Sequence, residues 1–271
     1  MPFADHMQRN RYELKYLIDE STARGVRDFM RPHMIRDPHA KAASAWAYPI
    51  YSVYLDGPSL PLYDATVHGH KNRFKLRARY YDAKPTNPVF FEVKRRVHDV
   101  IIKERSAVRR SSVGALLAGR PPVPSDLQDP SDSVDFAALQ HFCHLQHSVR
   151  GTGRAVVAYT REAWNAPGND DVRVTFDRDV AGAWFDPDVP IDAALRPDRR
   201  WAYPPVEGGG VVLELKFTGR FPLWMKDLVA SFDLYRGSMA KYAMCVVALG
   251  PQAHGRWRDR QVPAALLETH Y

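Results

Sequence analysis

The sequence predicts an α+β fold in which many antiparallel strands form one sheet and helices cover its apolar side. Two observations support this prediction. Several segments alternate apolar and charged side chains, which is the period-two pattern of a half-buried strand. Other stretches show the spacing of amphipathic helices, and no internal repeat or long linker divides the 271 residues. We therefore predict one domain over residues 1–271, with a core at about 9–250 and an irregular tail at 251–271.

Most of the predicted strands are recognised, in chain order, by the alternation of apolar and charged side chains. In RNRYELKYLI, Glu13 and Lys15 share one face of the predicted strand. The β-branched and aromatic run at 49–56 predicts the second strand. RFKLRARYYD and PVFFEVKRRVHDVIIKER, separated by turn-forming residues, predict a hairpin with cationic faces and a short break at 97–99. GRAVVAYTREAW and VRVTFDRDV predict a second hairpin, and VVLELKF repeats the Glu-x-Lys pattern.

Helices are expected where capping residues or proline precede an apolar stripe. Asp19 or Ser21 caps a helix over 22–30, and Pro32 ends it. Further helical segments are predicted at 60–64, from 111 or 112 to about 119, at 133–149, at 223–235 and at 239–250. Residues 182–210 are rich in Pro, Asp and Gly and form either a long loop or short strands.

The composition is that of a globular chain with excess positive charge. The chain is 45% hydrophobic and carries a net charge of +7, which favours an acidic partner such as phosphate, nucleic acid or an anionic surface. Cys143 and Cys245 have no metal-type spacing, and no apolar signal segment is present, so a reduced cytoplasmic compartment is expected. No apolar run reaches the roughly 18 residues of a spanning helix, so no membrane segment is expected.

The charged strand faces carry the functional prediction. Any one-sided antiparallel sheet alternates polar and apolar residues, so each strand alone indicates only a solvated face. Here, however, the faces are filled with Arg, Lys and Glu in strand after strand. If the sheet closes on itself, about ten Lys and Arg face an interior in which each unpaired charge costs several kcal/mol. A bound polyphosphate is the expected counter-charge.

Several segments, in chain order, resemble the VTC domain of polyphosphate polymerases, a branch of the triphosphate tunnel metalloenzymes within the CYTH-like superfamily. They are RYELKYLI, SVYLD, KLRARYY, FFEVKRR, KER, the Tyr-x-Arg at 159–161, RVTFD, LELKF and the AKY at 240–242. Each motif is weak alone, and their number and order make the match specific over about residues 9–250. The resemblance implies a closed eight-stranded antiparallel barrel, the triphosphate tunnel, with helices packed outside.

The resemblance also implies a site that binds triphosphate or polyphosphate with Mn²⁺ or Mg²⁺. Its expected phosphate-binding cations are Lys15, Arg77, Arg79, Lys94, Lys103, Arg161, Arg173, Lys216 and Lys241, of which the first five are also expected to be catalytic. Glu214 is the expected metal ligand, and Glu13 and Glu92 are weaker candidates. These residue types suit phosphoryl transfer, which needs charge stabilisation and no nucleophilic side chain.

The expected function is that of a polyphosphate polymerase, which moves the terminal phosphate of a nucleoside triphosphate onto a growing polyphosphate chain. The alternatives are a metal-dependent tri- or polyphosphatase and a polyphosphate-binding module without turnover. Glu214 favours an enzyme, because a binder needs no carboxylate among its cations. The first strand reads Arg11-x-Glu13-x-Lys15 where the triphosphatase branch carries Glu-x-Glu-x-Lys, which favours the polymerase branch.

Other signals are weaker. Nucleic-acid binding requires aromatic rings interleaved with the cations, whereas Phe74, Tyr80 and Phe91 lie on the opposite strand faces. His141, His144 and His147 lie off the apolar stripe of their helix, so a solvent-facing set is expected in place of a zinc site. The glycines at 208–210 precede a strand and not a helix, so they predict a turn and not a phosphate loop.

Overall fold

A computed structural model of the chain describes residues 11–40, 46–98, 100–168, 171–188, 191, 210–237 and 239–250. The strands are β1 (Arg11–Ile18), β2 (Ile35–Arg36), β3 (Ala47–Asp56), β4 (Asn72–Tyr80), β5 (Val89–Val97), β6 (Val100–Val108), β7 (Thr152–Asn165), β8 (Val172–Trp184) and β9 (Val211–Thr218). The helices are α1 (Glu20–Met30), α2 (Pro61–Val67), α3 (Arg110–Leu117), α4 (Ser133–Ser148), α5 (Leu223–Ser231) and α6 (Lys241–Leu249).

The strands form one antiparallel sheet in the order β1-β9-β8-β7-β3-β4-β5-β6, and the short β2 pairs with β7 outside this path. The predicted α+β class, an antiparallel sheet with helices, is therefore confirmed. The predicted closed barrel is not confirmed, because β1 and β6 share no hydrogen-bonded ladder within the described residues. These two edge strands still approach within 8 Å between Cα atoms.

A side-chain contact joins the edge strand β1 to β5, the strand next to the opposite edge strand β6. Lys94 on β5 donates a hydrogen bond to Glu13 Oε2 on β1 over 2.7 Å, between residues 81 positions apart. The sheet therefore curls far enough to face its two ends toward each other, and an ion pair spans a seam that the backbone leaves open. Sheet twist alone produces curling, but closure by backbone requires a matching register of both edge strands.

Most elements begin and end close to their predicted bounds. Asp19 caps α1 by accepting a hydrogen bond from the Thr22 backbone N–H over 2.6 Å. The second segment of the predicted hairpin divides at its predicted break, where a tight turn separates β5 from β6. His98 takes a φ of 54° at that turn, as short hairpin loops require. The three strands β4, β5 and β6 form a meander.

Two further differences concern short segments. The stretch predicted as a loop between α1 and β3 contains β2, whose two residues pair with Trp164 and Asn165 of β7. Helix α5 ends at Ser231 instead of the predicted 235, and Asp233 follows with a φ of 46° that a helix cannot continue through. The tail at 251–271 and most of the segment at 182–210 lie outside the described residues.

The helices cover the apolar face of the sheet, and this packing determines where the charged face points. Phe142 of α4 packs edge-to-face on Phe91 of β5, with ring centroids 4.9 Å apart. Helices α1 and α5 cover β9 and its neighbours through Val26, Met225 and Leu215. Because helices occupy the apolar side, the alternating charged residues turn to the concave side. No helix in the described part of the chain is long and apolar enough to cross a membrane.

Candidate functional site

A cavity of about 330 Å³ lies on the concave side of the sheet, and all eight strands of the main path contribute to its lining. The predicted cations that line it are Lys15, Arg77, Arg79, Lys94, Lys103, Arg161, Arg173, Lys216 and Lys241, together with the carboxylates Glu13 and Glu214. They meet here because residues two apart on a strand share a face, and the curled sheet turns these faces toward one another.

Glu214, only 4% exposed, is the centre of the densest group of charges. Its Oε1 lies 2.8 Å from Lys241 Nζ and 3.6 Å from Lys15 Nζ, and its Oε2 lies 2.5 Å from Lys216 Nζ and 3.1 Å from Arg161 Nη2. Burial disfavours the ionised carboxyl, but the three lysines and Arg161 outweigh it and hold the pKa of Glu214 well below its usual range. The side chain is therefore a carboxylate at neutral pH.

Asp177, a fully buried residue of β8, was not among the sequence-predicted site residues. It accepts hydrogen bonds from Arg161 Nε and Nη2 over 2.6 and 2.7 Å, and its Oδ2 lies 2.6 Å from Lys241 Nζ. Burial raises the pKa of this carboxyl, but Arg161 and Lys241 outweigh the effect and lower it. The sequence signal was present, since Asp177 shares a strand face with Arg173.

Lys241 begins α6, where a lysine is solvated by default, yet it is 8% exposed and contacts both Asp177 and Glu214. The two carboxylates outweigh the effect of burial and raise its pKa. A helix therefore supplies one cation to a site that is otherwise built from strands.

Glu92 on β5 plays a different part from the other two carboxylates. It is fully buried and does not line the cavity. Arg77 donates to it from Nε over 2.6 Å, and Lys103 Nζ lies 2.8 Å and Arg105 Nε 3.6 Å from its Oε1. Glu92 thus lies beneath the cations at one side of the cavity and holds them in place.

Three lysines form a row across neighbouring strands. Lys75 of β4 lies opposite Lys94 of β5, which lies opposite Lys103 of β6. Lys94 is paired with Glu13 and Lys103 with Glu92, whereas burial and the charges of Lys15 and Lys94 lower the pKa of Lys75 well below its usual range. Lys75 was missed as a site residue, although it has the same parity as Arg77.

Tyrosine hydroxyls position three of the guanidinium groups, and this pattern was not predicted. The pairs, each 3.2 Å between donor and acceptor, are Arg77 with Tyr54, Arg79 with Tyr159 and Arg173 with Tyr48. In each pair the guanidinium donates to the phenolic oxygen. The hydroxyl restricts the guanidinium without neutralising it. Arg77 also pairs with Glu92 and Arg173 with Asp37, two buried carboxylates that do not line the cavity.

A second cavity of about 400 Å³ continues the first. The two share Glu13, Lys15, Lys75 and Lys94. Beyond these, the second cavity is lined by the guanidinium-bearing residues Arg73, Arg95, Arg96 and Arg236. The cationic surface therefore runs past the Glu214 cluster toward the start of β4.

The residues present fit a divalent cation only if a phosphate chain supplies further ligands. Among the described residues, no three His, Cys, Asp or Glu side chains come together as a metal-binding group. Mg²⁺ and similar ions at phosphate sites are, however, commonly held by one or two carboxylates plus phosphate oxygens and water. Glu13 and Glu214 both contact Lys15, at 3.0 and 3.6 Å, and both remain ionised because nearby cations lower their pKa values. Phosphate oxygens could accept the lysine hydrogens and release these carboxylates for a metal ion.

The histidines of α4 lie away from this cavity. His141 Nδ1 lies 2.5 Å from Glu104 Oε2, and His144 and His147 are exposed. The candidate metal ligands of the cavity are therefore its carboxylates and not these histidines.

Comparison with known proteins identifies a matching family. A family model described as the VTC domain matches residues 10–249. No curated protein sequence matches this chain. Similar solved structures include the PH1819 protein of Pyrococcus horikoshii OT3, at 12% identity over 86% of this chain and 97% of that chain with a TM-score of 0.43. Another is the Hippeastrum protein HpAC1, described as an adenylyl cyclase candidate with a dominant triphosphatase activity, at 12% identity over 87% and 94% with a TM-score of 0.47. Similarities this distant carry no further argument.

Proposed function

Because this chain belongs to the VTC domain family, we propose that it is a polyphosphate polymerase-like phosphotransferase that uses a nucleoside triphosphate and Mn²⁺ or Mg²⁺. The reaction would form a bond between a terminal oxygen of inorganic polyphosphate and the γ-phosphorus of the nucleotide. The bond from that phosphorus to the bridging oxygen would break, and the nucleoside diphosphate would leave with the bonding electrons.

One observation carries the proposal, namely the charge imbalance of the cavity. Eleven Lys and Arg side chains line it, against the two carboxylates Glu13 and Glu214. Counting the buried Glu92, Asp177 and Asp37, which pair with lining cations, the described cations still outnumber the carboxylates eleven to five. Like charges held this close together are costly, so a site of this kind is suited to an extended polyanion.

The side chains would act by binding and by stabilising charge. Arg77, Arg79 and Arg161 would bind non-bridging oxygens through paired N–H groups, and Lys15 and Lys241 would act as point charges. In a loose phosphoryl-transfer transition state the charge spreads over the equatorial oxygens, where such donors are most effective. No side-chain nucleophile is required, because the polyphosphate oxygen itself attacks.

Glu214 would hold the divalent ion, with Glu13 as a second carboxylate on the other side of Lys15. When bound, the ion supplies charge neutralisation across neighbouring phosphates. Lys216 would then donate to phosphate oxygen in place of its 2.5 Å contact with Glu214 Oε2. When a phosphate chain enters the cavity, the lysines around Glu214 would thus exchange the carboxylate oxygens for phosphate oxygens.

A purified-protein assay separates this proposal from its alternatives. The protein is incubated with ATP and Mn²⁺, with and without a short polyphosphate primer, and both long polyphosphate and free phosphate are measured. Polymer formation supports the polymerase, whereas free phosphate without polymer indicates a hydrolase. Tight binding of tripolyphosphate without turnover of any nucleotide or metal combination would show a binding module and overturn the enzyme proposal.

A further inference from the structure

An aromatic group lies at one end of the cationic cavity. Tyr81, the residue after β4, lines the cavity and makes edge-to-face contacts with Tyr48 at 6.1 Å and with Phe90 at 6.0 Å between ring centroids. The guanidinium carbon of Arg105, a further lining residue, lies 3.4 Å from the centroid of Phe90. We call these four residues, Tyr48, Tyr81, Phe90 and Arg105, the aromatic end.

The aromatic end adjoins the part of the cavity that contains Glu214. Tyr48 lies opposite Arg161 in the β3–β7 ladder, and Arg161 contacts Glu214 over 3.1 Å. The Tyr48 hydroxyl also accepts a hydrogen bond from Arg173. A ligand that contacts the aromatic end therefore has guanidinium groups and the Glu214 cluster next to it.

The other end of the cationic surface has a different chemistry. Arg73 lies near the start of β4 and lines the second cavity, together with Arg96 and Arg236. Tyr81 lies eight positions after Arg73, which corresponds to about 26 Å of extended chain. The surface thus runs from an aromatic end, past the carboxylates, to an end lined by guanidinium groups.

We propose that the aromatic end is a subsite for the nucleobase of the nucleoside triphosphate, with Tyr81 as the principal stacking residue. This inference rests on the proposed function, since it requires a nucleotide as donor. Inorganic polyphosphate has no planar apolar group, so it gains little from aromatic rings. Bases stack on tyrosine, phenylalanine and arginine planes, and one such contact changes affinity by about tenfold.

The subsite gives the nucleotide a direction in the cavity. Its base lies at Tyr81, and its triphosphate points along Arg79 and Arg161 toward Glu214. Stacking has little base specificity because every base offers a π-face, so ATP and GTP are both expected to bind. Tyr81 is therefore expected to discriminate strongly between a nucleoside triphosphate and an inorganic triphosphate. It is expected to discriminate only weakly between one base and another.

The test compares two probes that share a triphosphate and differ in the base. Dissociation constants for ATP and for tripolyphosphate, with Mg²⁺ at one fixed salt concentration, are measured by calorimetry for wild type, Tyr81→Ala and Tyr81→Phe. Tyr81→Ala is expected to weaken ATP binding about tenfold and to change tripolyphosphate binding less than twofold, and Tyr81→Phe is expected to restore most of the ATP affinity. Tyr235→Ala is the control, because Tyr235 is 79% exposed and lines neither cavity. Tyr81→Leu, which keeps an apolar side chain but has no ring, is the second variant if Tyr81→Ala does not fold, and the same selective loss of ATP affinity is expected.

The outcomes separate this inference from the proposed function. If Tyr81→Ala weakens the binding of ATP and of tripolyphosphate equally, or if it leaves the ATP affinity unchanged, the nucleobase subsite is wrong while a phosphate site remains. If wild-type protein binds neither probe, the proposed function fails and the subsite fails with it.

Discussion

Lys75 and Lys94 lie directly opposite each other on β4 and β5, with Lys103 next in the same row on β6. Like charges placed opposite each other on a sheet destabilise it, and burial adds to the cost at Lys75, whose pKa falls well below the usual lysine value. The empty protein therefore carries a repulsion that a bound polyanion would relieve.

The first prediction concerns the free energy of unfolding. Lys75→Met, which keeps the length of the side chain and removes its charge, should stabilise the empty protein by about 0.2–1 kcal/mol. The same change should weaken tripolyphosphate binding. Denaturant unfolding and calorimetry measure the two effects, and Lys71→Met, at an exposed position that lines neither cavity, is the matched control. A destabilised Lys75→Met protein would contradict the repulsion argument.

The second prediction concerns the proton of Lys75 and the pH dependence of stability. Since burial and neighbouring cations lower the pKa of Lys75, the folded protein binds fewer protons than the unfolded chain between that lowered pKa and the usual lysine value of about 10.4. Stability of the empty protein should therefore rise as pH rises through this window. A bound phosphate should raise the pKa of Lys75 and so restore the proton of its ammonium group. Tripolyphosphate binding should therefore take up protons within this pH window.

Calorimetry in buffers with different ionisation heats measures this uptake. Lys75→Met should take up fewer protons than wild type, and Lys71→Met should match wild type. Equal uptake by Lys75→Met and wild type would show that Lys75 stays charged in the empty protein.

The third prediction separates binding from turnover at Glu214. Glu214→Gln keeps the size of the side chain but removes the main charge partner of Lys216 and a second partner of Lys15, Arg161 and Lys241, which costs about 3–5 kcal/mol of stability. Tripolyphosphate should then bind as well as in wild type, or more tightly, and should produce a larger thermal shift. Metal-dependent turnover should fall more than about 100-fold, because the proposed metal ligand is lost.

Glu104→Gln is the control for this prediction, since it removes a carboxylate that pairs with His141 outside the cavity. If Glu214→Gln retains metal-dependent turnover, the assignment of Glu214 is wrong and Glu13 becomes the next carboxylate to test.

The fourth prediction concerns Arg77, which the buried Glu92 and the Tyr54 hydroxyl hold at the cavity wall. Arg77→Gln should weaken tripolyphosphate binding and lower kcat/KM for ATP together, since its contact serves both the bound chain and the transition state. Steady-state kinetics and calorimetry measure the two quantities. A fall in kcat with unchanged affinity would instead show that Arg77 acts in the transition state alone.

The fifth prediction uses the unmodified protein. Tripolyphosphate at about a hundred times its dissociation constant should add about 2.7 kcal/mol to the free energy of unfolding. Sulfate at matched ionic strength should add much less, because a single tetrahedral anion cannot span the row of lysines. Equal melting temperatures with the two anions would contradict an extended phosphate site.

Local sequence patterns were sufficient for the eight strands of the main path and for the face each side chain occupies, but not for the two-residue β2. Alternation in β1, β4 and β9 predicted that Glu13, Arg77 and Glu214 lie on the charged faces, because a strand leaves only two sides for its side chains. The alternation also breaks off near His98, which lies at the tight turn between β5 and β6.

The sequence by itself determined the α+β class, the charged faces and, through its resemblance to the VTC domain, the family and the residues to examine. Only the tertiary structure decided which of those residues meet. Lys94 reaches Glu13 across the open seam, and Asp177 holds Arg161 and Lys241 from beneath. The physical reason is that alternation looks the same in a flat sheet and in a curled one. Contacts between distant strands depend on twist, register and the packing of helices on the outer face, none of which a local period contains.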